Sequence, residues 1–519
     1  MIVAHVFLTP YTLPVPFWLY VYGCAATLVL SFALLAYLAS SGLAAAEGGR
    51  REIPPGAALS WLGRRVLDVL RAASVAALVM TIAAGVLGPS DPSLNVGMTL
   101  FWVWFLLACV YLSVLAGNVY EWINPWASLA EGLHRAGLDM DARRLRYPHA
   151  AGYWPAVILY LALVWIELFL LPRPSSLAIA LVAYTAIALG GMYLFGRAAW
   201  LRHGELFAVF FRVVGSLAPI EYLNDRRAAA EPAARKPQAR GRQALTSTIE
   251  HIPLDSNAPC PDQSVVPVMW SGYPRVAVRW PLAGALEERA DHGSLVVFIL
   301  FMLSSTTYDT IHGTYLWISI YWQRLLPLLQ PLWGTDVVSA QAALTTGYWW
   351  YQWLGLLLSP AFYLALYLGV LTLAIGAARA AMSLRSLSNA FAFSLVPIAV
   401  AYHATHYFPS MWTELRALLP QLADPLARGW RLPIVSNLVA ATPPPMALIW
   451  HAQVVVLLAG HVAGVYLAHV AALRVFPTRR QGLASQLPML ALMVGYTCLG
   501  LWVLSLPLGV PQSSLLPAG

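Results

Sequence analysis

Charge is what this chain lacks most: only 10% of its 519 residues are Asp, Glu, Lys or Arg, against about 25% in soluble domains. A soluble fold this poor in charge has too little polar surface to face water. Cysteine is also scarce. The four residues Cys24, Cys109, Cys260 and Cys498 lie far apart, which excludes a disulfide framework and any paired-cysteine haem attachment. No glycine-rich phosphate loop or dinucleotide fingerprint occurs. No internal repeat is visible, which speaks against an inverted-repeat transporter. The first apolar run starts near Pro16 without a basic segment before it, so it reads as a span rather than a cleaved signal.

What is present is apolar. Hydrophobic residues make up 59% of the chain, with 21 Trp and 24 Tyr, the types that collect at membrane interfaces. Runs of about 20 residues suffice to cross the hydrocarbon of a bilayer. They fall at 17–40, 69–88, 96–117, 151–171, 175–196, 293–311, 348–376, 386–407, 449–473 and 487–509. Because lipid cannot satisfy backbone polar groups, each is expected to be a helix. The predicted fold is an all-α polytopic transmembrane bundle of about ten spans. Three regions are expected: residues 1–221 with five spans and interfacial segments, a cytoplasmic polar loop 222–290, and residues 291–519 with the other five spans and a candidate metal site.

The net charge of +8 does not point to nucleic acid, because the basic residues follow membrane topology. Of the 31 Lys and Arg residues, only Arg173, Arg324, Arg416, Arg428 and Arg431 fall outside the loops 41–68, 118–150, 197–292, 377–385 and 474–486 and the helix ends beside them. Alternating loops thus carry nearly all the positive charge. This predicts a cytoplasmic basic side, both termini outside, and a multi-pass protein of the cytoplasmic (inner) membrane; in a Gram-negative bacterium the outside is the periplasm. Residues 119–137 read as an interfacial segment anchored by Trp122 and Trp126. Asn224 to Gln243 read as a mobile stretch, and Trp412 to Leu422 as an amphipathic piece on the external surface.

Ionisable groups inside a membrane are costly and therefore mark candidate sites. Counting 1.5 Å per residue from the basic anchors, Glu167, Asp309, His403, His406 and His451 all reach the outer leaflet, with His461 about 10 Å deeper and His312 at the outer surface. His403 and His406 share one helix face by their i,i+3 spacing. Two imidazoles from one helix and a carboxylate from another suit Zn, Cu or Fe. The expected metal set is Asp309, His403, His406 and His461, with Asp309 as ligand or base and Glu167 as general base or supporting carboxylate. His5 and His469 are weaker candidates, and Thr306 and Thr307 are expected to bond back to their own helix. The His spacings of 3 on one helix and 10 and 8 on another do not match a two-haem core, and a single haem is disfavoured.

Several stretches carry a resemblance: Ala4-His5, Leu13 to Tyr20, Asn124-Pro125-Trp126, Ser304 to Asp309, Ala404-Thr405-His406-Tyr407 and Gly460-His461-Val462-Ala463-Gly464. Together the chain resembles bacterial polytopic proteins labelled fenitrothion hydrolase-like. The resemblance implies hydrolysis of an organophosphate ester, with recurring polar positions at Asp309, His406 and His461 and, after them, His5. It departs from that group where His469 is followed by Val470 rather than an acidic residue. The leading expectation is a membrane metal-binding protein, a metal-dependent hydrolase of an apolar ester at the outer leaflet. The alternatives are a copper, iron or haem subunit serving a respiratory or oxygenase complex, and a proton- or metal-coupled transporter. Lipid and a membrane or periplasmic protein are the expected partners.

Overall fold

The computed structural model describes residues 16–40, 50–53, 57–170, 173–223, 275–329, 337–414, 417–429 and 445–506. His5, Cys260 and the stretch Asn224 to Gln243 lie outside the described residues. Among the described residues, ten helices are long and apolar enough to cross a membrane. They are α1 (Phe17–Ser40), α2 (Ala57–Leu87), α3 (Val96–Ala116), α5 (Trp154–Phe169), α6 (Pro174–Phe195), α8 (Gly293–His312), α9 (Val337–Ala378), α10 (Val396–Glu414), α11 (Met446–Val475) and α12 (Arg479–Ser505). Two shorter helices, α4 (Pro125–Arg135) and α7 (Leu206–Gly215), lie between spans. The expected all-α polytopic bundle is therefore what forms.

Local chemistry sets the helix ends. Asn95 opens α3 by accepting from Gly97 N at 3.0 Å, which satisfies one orphan donor of the first turn. Most of the middle of α3, Thr99–Ala108, is wound as a π-helix. The last span begins at Arg479 rather than near 487, because Thr478 caps it through Gln481 N and the helix runs on past Pro488. The expected surface helix Trp412 to Leu422 is divided. Its first residues complete α10, and a separate turn, Leu418–Ala423, packs Leu418 against Ala84 and Val96.

The described parts of the basic loops are tied to one another. Strands β1 (Arg51–Ile53), β2 (Ile220–Leu223) and β3 (Arg275–Val278) form an antiparallel sheet in the order β1-β3-β2. Arg50 and Arg279 both pair with Glu221 in it. Arg197 is clamped by Glu131 and Asp141, and its hydrogen bonds hold the Asp141 carboxyl below the usual range. Ala290 N donates to Asn389 O, and Arg474 donates to Leu286 O at 2.7 Å. These ties join the loops that follow spans one, three, five, seven and nine, as the charge alternation requires.

The segment 119–137 corrects its expected role. Trp122 and Trp126 are buried, not surface anchors. Asn124 accepts from Trp126 N and Ala127 N and starts α4 with Pro125 at its first position, a pre-organised helix opening. Trp126 stacks on Phe207 at 5.5 Å and donates to Thr185, so α4 packs among α6 and α7. Burial orders the spans. In α1 only 11% of the span is buried, whereas in α8 it is 89%. The first faces lipid; the second is the central post, packed against α5, α9, α10 and α12.

Candidate functional site

The polar residues of α8 are confined to one half. From Leu295 to Leu303 every side chain is apolar, and from Ser304 to Thr310 every side chain carries a polar atom. All the residues of the second stretch are buried. A buried hydroxyl needs a partner, and here each has one. Thr306 and Thr307 bond back to Met302 O and Leu303 O, as expected. Across helices, Tyr160 OH meets Ser305 Oγ at 3.0 Å, Ser359 donates to Ser304, and Tyr363 donates to Thr307 at 3.1 Å. Tyr308 donates to Gln352 O.

At the end of this ladder three of the expected residues meet. His406 Nε2 lies 2.7 Å from Asp309 Oδ2. The Tyr407 hydroxyl lies 3.1 Å from that same Oδ2 and 2.9 Å from Glu167 Oε1. On the other side of the imidazole, His406 Nδ1 lies 3.0 Å from Thr310 Oγ1, and Tyr402 OH lies 3.4 Å from that oxygen. Asp309 and Thr310, neighbours on α8, thus hold both nitrogens of one imidazole on α10. The close fit of α11 against α10 depends on Gly460, since a Cβ there would lie 2.3 Å from that of Ala401.

Counting hydrogens defines what the network can do. The one hydroxyl hydrogen of Thr310 is used toward Thr306 O at 2.9 Å, so its oxygen accepts. His406 thus bridges Thr310 and the Asp309 carboxylate through its two ring nitrogens. Tyr407 also has a single hydrogen but touches two carboxylates. With both carboxylates ionised the pattern is one hydrogen short, so Glu167 can take up a proton, and Tyr407 links it to Asp309. The chain Glu167–Tyr407–Asp309–His406 therefore stores protons and can hand them along. Glu167 is its partly exposed end, two residues from the end of α5.

The other expected residues are placed separately. His403 packs its ring on Tyr407 at 4.7 Å, and its buried Nε2 has no hydrogen-bond partner among the described residues. His461 is buried; its Nδ1 lies 2.9 Å from Leu457 O, and its Nε2 likewise has no partner there. Among the described residues no three His, Cys, Asp or Glu side chains come together to hold a metal ion. Asp309 and His406 direct their donor atoms at each other. His312 is not at the surface as expected. It is buried, stacked on Tyr308 at 5.5 Å, with Nδ1 toward Asp309 O. His451 is exposed and meets Tyr20, and His469 pairs with Gln486 in the interior. Tyr402, Tyr407 and Thr310 are neither imidazoles nor carboxylates, so the cost of burying charge does not mark them. Only the position of Tyr407 beside His406 could have drawn notice.

No family model matches this chain, and no curated protein or solved structure matches it either.

Proposed function

We propose that this chain is an integral membrane acid–base enzyme of hydrolase type. Its substrate is an apolar ester that approaches from the half of the membrane remote from the basic loops. The observation that carries the reading is the continuous hydrogen-bonded relay Glu167–Tyr407–Asp309–His406, with Glu167 its partly exposed end. Glu167 is the general base. It takes a proton from water as the water oxygen bonds to the ester's phosphorus or carbonyl carbon. Tyr407 links that carboxyl to Asp309, so the added proton is shared with the Asp309–His406 pair. The ester bond to the leaving oxygen breaks, and that oxygen recovers the proton from Glu167. General acid–base assistance of this kind contributes about 10²–10⁴-fold. The resemblance to fenitrothion hydrolase-like proteins points to the same reaction class. The nine apolar residues Leu295–Leu303 favour an enzyme over a transporter, because along α8 they separate the relay from the basic face.

The test is hydrolysis of lipophilic nitrophenyl phosphotriesters and carboxylesters by the protein in liposomes. Wild type turns one of them over, and Glu167→Gln and Asp309→Asn each lose about a hundredfold or more. An unchanged rate in Glu167→Gln would overturn the assignment, and absence of turnover by wild type would overturn the hydrolase class.

A metal-assisted or redox reading keeps one specific support, the unpartnered Nε2 atoms of His403 and His461. Elemental analysis and a visible spectrum separate it from the first. About one equivalent of Zn, Cu or Fe, or a haem band, lost in His403→Ala or His461→Ala would replace the metal-free relay.

A further inference from the structure

The start of α8, next to the basic loops, is capped by a histidine. His292 precedes the helix, and its Nδ1 accepts from Ser294 N at 3.2 Å. A backbone amide can only donate, so this nitrogen carries no hydrogen. The Ser294 hydroxyl lies 2.7 Å from the same Nδ1 and takes the Tyr153 amide on its oxygen, also at 2.7 Å. Its one hydrogen therefore goes to the imidazole. Gly152 allows the approach, since a Cβ there would lie 2.3 Å from Nδ1. The Tyr147 hydroxyl holds the Gly152 carbonyl at 2.7 Å. This knot joins the start of α5 to the start of α8, the helices that carry Glu167 and Asp309. His149, in the turn just before α5, sets its ring edge-on to His292 at 6.0 Å.

We infer that this knot is an acid-released clamp between α5 and α8, with His292 as its sensor. A protonated imidazole bears hydrogen on both nitrogens. Nδ1 then opposes the two hydrogens aimed at it, from the Ser294 amide and hydroxyl. Its positive charge also sits at a helix N-terminus, where the macrodipole disfavours a cation. Among the described residues, the charged and titratable groups acting on this ring are His149, Arg385 and Asp291. The Asp291 carboxylate favours the cation, but it is shared with Arg202 at 3.4 Å and the Tyr153 hydroxyl at 3.1 Å. Burial, then His149 and Arg385, hold the imidazole below its ordinary value. The clamp is thus complete above about pH 6.5 and is lost as the pH falls from there through the lowered native value. A charged His149 ring 6.0 Å away adds repulsion between the two segments.

The experiment is hydrogen exchange of the full chain in nanodiscs between about pH 7.5 and 5. It is read amide by amide through fragmentation mass spectrometry, each rate divided by its intrinsic value at that pH. In wild type the protection of the Tyr153 and Ser294 amides falls together, by up to about tenfold per pH unit below about 6.5. The Gln481 amide, which bonds to the Thr478 hydroxyl at the start of α12, has no titrating partner and stays constant. A fall at Gln481 as large as at Ser294 would show general loosening instead of a clamp. His292→Asn supplies a cap oxygen that does not titrate, so both amides should hold their protection throughout. Acid loss in His292→Asn equal to that in wild type, or none in wild type, would overturn the clamp. Should His292→Asn fail to fold, Ser294→Ala decides. It unties Tyr153 from the sensor, so the Tyr153 amide should be unprotected already at neutral pH and no longer respond to acid. A Tyr153 response unchanged from wild type in that variant would reject the proposal.

Discussion

The two halves of α8 are equally buried and chemically opposite. Between Leu295 and Leu303 the helix is held only by packing, with Phe298, Ile299 and Leu300 wholly inaccessible. Between Ser304 and Thr310 it is held by hydrogen bonds to α5, α9 and α10. A buried helix in lipid gains little from apolar contacts that lipid would also provide, so the first half costs nothing to build and specifies little. The second half specifies partners, because each polar group left alone would be penalised. The proposed function sits in the half where the chain has accepted a penalty it could have avoided.

The largest effect should come from breaking the ion pair. Asp309→Ala leaves the buried His406 ring without its carboxylate partner, and losing one partner of a buried pair costs about 3–5 kcal/mol. Reversible unfolding in mixed detergent micelles would measure it, and a loss under about 1 kcal/mol would mean that the pair is not the anchor it looks like. Replacing both partners sharpens the point. Asp309→Leu with His406→Leu should recover to within about 1 kcal/mol of wild type while remaining inactive. That outcome would show that the pair is kept for chemistry and not for stability.

Next in size is the converse change, a polar group placed in the apolar half. Leu300 is fully inaccessible and is flanked in the chain by Phe298, Ile299, Phe301 and Met302. Leu300→Asn should therefore cost about 3 kcal/mol. The same measurement on Ser304→Asn, in the polar half, should show a markedly smaller loss, since Ser359 can accept or donate there. Equal costs in the two halves would dissolve the comparison.

The sequence makes one half of this contrast easy to read and the other hard. Ten apolar runs and the alternation of basic loops follow from composition and spacing, and a helix covers each run, with α2, α9 and α12 starting well before it and α10 starting after it. Depth counting put Glu167, Asp309 and His406 at one level, and the three do meet. Depth cannot say which way a side chain points around its helix. His461 turns to its own Leu457 carbonyl, and the expected four-residue metal set does not assemble. Nor could spacing along one strand of sequence reveal Tyr407 as the bridge, because its role exists only where α5, α8 and α10 converge. Trp122 and Trp126 were misplaced for a related reason. An indole suits an interface, but α4 turns inward at Asn124 and buries both.

Removing that bridge gives a smaller loss. Tyr407→Phe keeps the ring on His403 and takes away only the hydroxyl shared by Glu167 and Asp309, at a cost of about 1.5 kcal/mol. Its functional effect should be much larger than its structural one. Infrared difference spectra across a pH titration should show the Glu167 carboxyl responding independently of Asp309, where in wild type the two bands move together. Bands that move together in the variant would mean that the proton passes by another route.

The smallest effect tests whether every rung of the ladder matters. Thr307 bonds to Leu303 O on its own helix and receives the Tyr363 hydroxyl. Thr307→Val is nearly the same shape and removes both. Bonds between helices in a membrane average about 0.6 kcal/mol, because a freed hydroxyl finds another partner. Tyr363 stacks on Tyr496 at 5.5 Å, so its ring stays in place when its hydroxyl loses this acceptor. A loss near 0.6 kcal/mol with unchanged turnover would mark Thr307 as scaffold. A loss of turnover would extend the relay inward along α8, toward the apolar stretch Leu295–Leu303.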